Sequence, residues 1–381
     1  MKGHIRKRYK SSWSIVVDLG LKPDGKRNQV WKSVKGTKTQ AEEVLNEMLH
    51  SFNTGTYIEP TNETVSEFLD YWLDEISDSV RANTLERYES ICKFYIKPII
   101  GETKLIDLKP VQINSLYKEL QREGRPGGDK LCARTVLHAH RVLSNALNKA
   151  VKWEMLLRNP CQAADAPKAK KSKHQTFTSK ETIEVLNKAS GTNLFLPILI
   201  AVTTGLRRGE FLGLRWTDIN FDKKELTVKQ SAIRTSEGVI YDAPKTETSN
   251  RTIPFPDMVL TALKVYRAEQ AKLYLQLGKS LDNNAPIMSG IGGFKNPSQL
   301  TTNYRAFIKR NNFKHVTYHG LRHTHATLLL AENIHPKVMS ERLGHSTIAI
   351  TMDLYSHVMP TMQREASNTI NTMFVDEGFK G

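Results

Sequence analysis

Apolar and polar residues follow three successive patterns along the chain. Residues 12–19 (Ser-Trp-Ser-Ile-Val-Val-Asp-Leu) and 29–34 are rich in β-branched and aromatic types, which favours strands, and a third short strand is expected over 3–9. Lys22-Pro23-Asp24-Gly25-Lys26 places Pro and Gly where a turn needs them. From Thr37 the spacing lengthens, and Ala41, Val44, Leu45 and Met48 predict one face of a helix. After a linker from Asn53 to Pro60, helices are predicted at about 64–76, 81–97, 110–123 and 130–154. Pro98 and Gly101 are expected to close the second, and Gly124 with Pro126-Gly127-Gly128 the third. Asn159-Pro160 and the stretch Pro167-Lys168-Ala169-Lys170-Lys171-Ser172-Lys173 read as a connector. Beyond it, helices at roughly 179–189, 193–202 and 208–214 precede strands near 225–234 and 250–255, and helices return to the end.

The expected fold is multidomain α+β. A small three-stranded sheet plus helix occupies 1–55, a helical domain 63–160, and a mixed, mainly helical domain with a small antiparallel sheet 174–381. At 381 residues the chain is long enough for two or three such domains, each with its own core.

Charge adds a partner to this picture. The net charge is +16, which points to a polyanion. Residues 1–38 hold eleven Lys and Arg against two acids, so nine of the sixteen excess charges lie in the sheet region. Arg6, Arg8, Lys10, Lys26 and Arg27 are interleaved there with Tyr9, Trp13 and Trp31, as in a folded basic sheet rather than a solubilising tail. In the 130–154 helix, Val136, Ala139, Leu143, Ala146, Leu147 and Ala150 form a stripe for burial. Arg134, His138, Arg141, Asn145, Asn148 and Lys152 recur on another face, which could be merely solvated or could lie along DNA. Its near lack of acids favours DNA, and Lys170 and Lys171 in the connector are further candidates for the phosphate backbone.

Other classes recede. The longest apolar run, Leu194 to Val202, is far short of a membrane span, and the N-terminus carries no secretory stretch, so a cytoplasmic protein is expected. Cys92, Cys132 and Cys161 lack the paired spacing of a zinc site and are expected to be reduced thiols.

Two segments carry candidate chemistry. The first runs Thr204-Gly205-Leu206-Arg207-Arg208-Gly209-Glu210, an apolar helix that turns at Gly205 and restarts at an arginine. The second runs His319-Gly320-Leu321-Arg322-His323-Thr324-His325, then Leu343-Gly344-His345-Ser346, then Tyr355. Two arginines among histidines suit a phosphate, because the guanidinium fork matches phosphate oxygens two at a time and keeps its charge. His319 and Arg322, three apart, share a helix side. Gly344 fits the stop of a helix begun at Pro336, Ser346 can cap the next short helix, and Tyr355 lies at its far end. Each piece has a structural alternative. Arg207 and Glu210 could be an ion pair, the histidines could be satisfied polar groups, and His319, His323 and His325 could be a metal site, although no Glu adjoins the first histidine.

In joint order and spacing these residues strongly resemble the tyrosine recombinase, or phage integrase, family. Pro244-Lys245-Thr246 with Arg251-Thr252-Ile253-Pro254 resembles the family's lysine-bearing hairpin, with Lys229 as the neighbouring alternative. The layout is similar to that of arm-binding integrases such as that of phage lambda. The resemblance implies that Arg207 and Arg322 bind the scissile phosphate and that Lys245 protonates the leaving 5′ oxygen. His319 would act as acid/base, His345 would support the transition state, and Tyr355 would be the nucleophile forming a 3′-phosphotyrosyl link. It implies no cofactor and no metal, since the bond energy stays in the ester. The Glu210 carboxylate is expected to position a neighbouring helix.

Implied partners are double-stranded DNA at core and arm attachment sites, other copies of the chain in a homotetramer on paired sites, and an excisionase or host DNA-bending protein. The implied setting is the DNA of a bacterial cytoplasm, where the enzyme integrates and excises a mobile element. The alternatives are a type IB-like topoisomerase, which needs no paired sites, and a catalytically silent DNA-binding regulator, which the filled set of six positions disfavours.

Overall fold

A computed structural model of the chain describes all residues except 1, 22–24, 56, 58–60, 125–127, 170–174, 244–249, 289–292, 295, 346, 356–367, 375 and 377–381, and the side chains of 2, 350 and 353–355. The chain divides into two compact units, Met1–Lys170 and Lys171–Gly381.

The first unit opens with antiparallel strands β1 (Lys2–Tyr9), β2 (Ser12–Leu21) and β3 (Arg27–Lys35), β2 in the middle. Thr37 caps helix α1 (Lys38–Asn53) reciprocally with Gln40, which satisfies two otherwise unpaired N–H groups. Met48 of α1 packs on Ile15 and Val17. Strand alternation then puts His4, Arg6 and Trp31, cross-strand neighbours around Ser14 and Val16, on the opposite face of the sheet.

A second core follows. Helix α2 (Val65–Ile76) buries Val65, Phe68, Leu69, Trp72, Leu73 and Ile76, an i, i+3, i+4 stripe. Helix α3 (Ala82–Ile91) leads through a π turn, Cys92–Ile96, into α4 (Lys97–Ile100). Of the two residues expected to close this helix, Gly101 caps it and Pro98 does not. The wider i→i+5 turn relieves the clash between a proline ring and the carbonyl one α-turn earlier, so the chain stays helical past Pro98. Helices α5 (Pro110–Arg122) and α6 (Ala133–Lys152) complete the bundle, and the predicted stripe of α6 is buried, with Val142 added.

The second unit holds α7 (Ser179–Ala189), α8 (Phe195–Thr204), α9 (Arg208–Gly213), strands β4 (Ile219–Asn220), β5 (Glu225–Val228), β6 (Ser231–Thr235), β7 (Gly238–Asp242) and β8 (Arg251–Pro254), and then α10 (Asp257–Gln276), α11 (Pro297–Arg310), α12 (Tyr318–Ala331), α13 (Pro336–Leu343) and α14 (Ile348–Tyr355). Helix α8 is apolar on nearly all sides and runs through the core. The single strand expected over 225–234 is two strands in different sheets: β5 lies between β4 and β8, while β6 pairs with β7. The break has a cause in the two residues between them. Lys229 reaches Asp218 at 3.5 Å, and Gln230 donates to the Gly213 carbonyl at 2.8 Å, which pins the chain as it passes from one sheet to the other. Among the described residues no helix is long and apolar enough to cross a membrane.

Candidate active site

The site is organised around the C-terminal end of α13. Gly344 follows this helix in the left-handed conformation, at φ 63°. Its N–H donates to the Glu341 carbonyl and that of His345 to the Ser340 carbonyl, both at 3.0 Å, the pairing of a Schellman stop. Three carbonyls at such an end have no partner within the helix and carry its negative dipole end. Three arginines take them in succession. Arg251 Nε donates to the Arg342 carbonyl at 2.8 Å, Arg322 Nη2 to Leu343 at 2.7 Å, and Arg207 Nη2 to Gly344 at 2.8 Å.

Each arginine arrives on a different element. Gly205 ends α8 at φ 69°, and the turn it makes sets Arg207 at the N-cap of α9. Arg322 lies one turn into α12 and also donates from Nη1 to the Gly205 carbonyl at 2.8 Å. Arg251 begins β8. The Glu210 carboxylate ties the group together: it accepts from Arg207 Nη1 at 2.6 Å and the Arg207 backbone N–H at 2.9 Å, and from Arg251 Nη2 at 2.9 Å. Glu210 thus secures a strand residue and its own helix start, not a neighbouring helix as expected. Burial alone would raise its pKa, but the hydrogen bond and charge of Arg251, with the charge of Arg207, hold it down to about 2.

Burial and the adjoining Arg207 work the other way on Arg322, which is 3% exposed, and lower its pKa to about 9. Positive charge is thus crowded here beyond what one carboxylate neutralises. Arg207 keeps 38% of its side chain exposed, and the guanidiniums of Arg207 and Arg322 have five N–H groups each, more than the two carbonyls or the carboxylate they engage can accept. Such an arrangement favours an anion with several acceptor oxygens.

His345 leaves this turn half-buried. Its Nδ1 lies 2.8 Å from the hydroxyl of Thr351, a buried residue of α14. Burial, then Arg322 and Arg207, lower its pKa to about 4, so it is neutral at pH 7. Helix α14 packs against α12 and α13 and ends at Tyr355. His319 is exposed on the first turn of α12, and its ring meets that of His323 edge-on at 5.0 Å. His325 is buried: Nδ1 donates to the Val202 carbonyl at 2.9 Å, and Nε2 accepts from Arg342 Nε at 3.2 Å. Among the described residues no group of three or more metal-ligating side chains forms.

Arg207, Arg322 and His345 are therefore brought together, and Tyr355 ends a helix docked beside them. Lys245 lies outside the described residues, as do Lys170 and Lys171. The alternative Lys229 is engaged with Asp218. In the first unit Arg6, Arg8, Lys10, Lys26, Arg27, Arg134, Arg141 and Lys152 are all exposed. Sequence reasoning missed Arg87, whose charge, like that of Arg141, acts on His138 and which extends the basic face of α6 onto α3. It also missed the supporting roles of Arg251, Arg342 and Thr351. Only Arg251 had a signal, its place beside the lysine-bearing segment.

A mostly helical unit with small antiparallel sheets, in which arginines from separate elements converge on a helix end next to a histidine and a tyrosine-bearing helix, defines the tyrosine recombinase class. Residues 64–121 match the Phage integrase, N-terminal SAM-like domain, and 175–362 match the Phage integrase family. The chain is 31% identical to the tyrosine recombinase XerC-like protein of Caldanaerobacter subterraneus subsp. tengcongensis, over 98% of this chain and 99% of the relative. Its fold is similar to that of the Tn1549 transposon integrase in complex with a circular intermediate DNA, with a TM-score of 0.65, 21% identity, and coverage of 79% of this chain and 99% of the other. It is also similar to a lambda integrase tetramer bound to a Holliday junction, with a TM-score of 0.54, 17% identity, and coverage of 92% and 94%. The chain belongs to the phage integrase family of tyrosine recombinases. It is a DNA-rearranging enzyme that performs site-specific recombination for the integration and excision of a mobile element.

Proposed function

We propose that the scissile phosphate of DNA binds over the end of α13, with Arg207 and Arg322 on its non-bridging oxygens and Tyr355 as nucleophile. The observation that carries this reading is the set of arginines on consecutive carbonyls immediately before His345. Carbonyls and Glu210 hold mutually repelling guanidiniums in place before DNA arrives, so they need no reorganisation as charge grows on a pentacoordinate phosphorus. His319 takes the Tyr355 proton, the tyrosine oxygen bonds to phosphorus, and the bond to the 5′ oxygen breaks as Lys245 protonates it. His345, neutral and oriented by Thr351, donates to the phosphate through its remaining ring nitrogen. The freed 5′ hydroxyl of a partner strand reverses these steps and reseals the DNA without a cofactor.

Residues 63–160 and 174–381 would each contact core-site DNA, the former with Arg87, Arg134, Arg141 and Lys152 on phosphates, and residues 1–55 would read the arm site. Four copies acting on paired sites, joined by an excisionase or a DNA-bending protein, complete the assembly, and the lambda integrase tetramer supports that number. A nicked suicide substrate tests the chemistry: the natural protein should form a covalent adduct and Tyr355→Phe none. Equal adduct from that variant removes Tyr355 from its role. Deleting residues 1–55 should abolish arm-site binding and spare core-site cleavage, and unchanged arm binding would refute the division.

A further inference from the structure

Helix α14 carries Tyr355 and packs against α12 and α13 in an unusual way. Among its described side chains Ile348, Ala349 and Met352 are exposed, and Thr351 alone is fully buried, so the residue turned inward is polar rather than part of an apolar stripe. A buried hydroxyl has to place its proton on an acceptor or forfeit a hydrogen bond that it makes in water. Thr203 and Thr204, at the end of α8, give theirs to the carbonyls four residues back, both at 2.6 Å. Thr351 does not. Its hydrogen-bond partner among the described residues is His345 Nδ1, at 2.8 Å.

His345 is neutral at pH 7, so one ring nitrogen carries the proton and the other a lone pair. The Thr351 proton needs that lone pair on Nδ1, which leaves the ring proton on Nε2. Nε2 has no hydrogen-bond partner among the described residues, on a ring that already feels the charges of Arg322 and Arg207. Tyr355 follows Thr351 by four residues, one turn along α14 and on the same side of the helix. We propose that Thr351 is a positioning residue whose hydrogen bond both docks α14 and fixes His345 as the Nε2–H tautomer, so that the nucleophile's helix and the phosphate donor become competent together. With α14 away from this seat, His345 can carry its proton on either nitrogen. The proposal rests on the reading of His345 as a donor to the scissile phosphate.

The test uses the full chain with isotope-labelled histidine, read by nitrogen NMR at pH 7 without DNA, the His345 signals being those lost in His345→Ala. In the natural protein and in Thr351→Ser, which keeps the hydroxyl, Nε2 should carry the proton and Nδ1 the lone pair. In Thr351→Val, of nearly the same shape, the two nitrogen shifts should move toward each other as both tautomers fill. A Thr351→Val ring that matches the natural one, or a Thr351→Ser ring that matches Thr351→Val, overturns the proposal. Hydrogen exchange of the α14 amides reads the docking. His345→Ala strands the Thr351 hydroxyl and should speed this exchange about 10-fold, whereas on the Thr351→Val background the same change should alter it less than about threefold. Equal acceleration on both backgrounds means that the ring merely packs against α14 and overturns the coupling. Single-turnover cleavage separates this proposal from the reading beneath it. If His345→Ala cleaves as fast as the natural protein, the phosphate-donor role and the proposal fall together. If His345→Ala is slow but the Thr351→Val ring is unshifted, only the role of Thr351 falls.

Discussion

His325 makes the stability of the catalytic unit depend on pH in a way that its geometry quantifies. The ring is 4% exposed, and its two nitrogens are committed to opposite roles, donor to the Val202 carbonyl and acceptor from Arg342. Protonation would place an N–H where Arg342 already donates, beside Arg342 and Arg322. Burial, and then these arginines against the pull of the Val202 carbonyl, lower the pKa from 6.5 to about 4. The unfolded chain therefore binds a proton that the folded one refuses. Stability is fully present above 6.5 and is lost as pH falls from there toward 4, at about 1.4 kcal/mol per pH unit, or about 3 kcal/mol in all. His345 shifts in the same direction but is half-exposed and contributes less. Glu210, whose folded value lies below its ordinary 4.5, costs stability only below that value, outside the range from 6.5 to 4.5. Hydrogen exchange on α8 and α12, referred at each pH to the rate of the unfolded chain, should lose protection roughly 100-fold between pH 6.5 and 4.5. His325→Gln can donate and accept at the same places but cannot take the proton, so its protection should change far less over that range. An equally steep fall in His325→Gln would refute the assignment.

Other perturbations bear on the site and the interface. Arg322→Lys keeps a charge but cannot span the Gly205 and Leu343 carbonyls, so single-turnover cleavage should fall about 10²–10³-fold; a rate within threefold of the parent would contradict the pocket. Replacing Arg87 and Arg141 together by Gln should reduce the slope of log affinity against log salt by about two, as two phosphate contacts are lost, and an unchanged slope on core-site DNA would remove this face from the interface. Gly344→Ala should cost roughly 1–2 kcal/mol from its left-handed backbone alone. Because the new methyl meets Arg251, it should also slow cleavage more than it weakens DNA binding, and parity of the two losses would refute that contact's role.

Local spacing was a good guide wherever one element settles the matter. The stripe of α6, the stop at Gly344 and the short helix ending at Tyr355 all follow from periodicity and turn chemistry within a few residues. It misled where a neighbouring turn changed the rules, as at Pro98, where a π turn carries the helix past a residue that normally ends one. It misled again at 229–230, where β character is continuous in sequence but Asp218 and Gly213 divide the strand from outside.

From spacing and residue type, the chain declares most of its helices and strands, its basic stretches and the family to which it belongs. How the arginines of the site are held was decided elsewhere. Arg207 and Arg251 reach their carbonyls across 137 and 91 residues, and Arg322 across 21. No periodicity records a contact between side chains and a helix end so distant in sequence, because the acceptors are backbone carbonyls, which every residue carries. Tertiary packing selected three of these at the end of α13 by leaving them without partners inside the helix, and the arginines converge there because the carbonyls and Glu210 can hold their charges side by side.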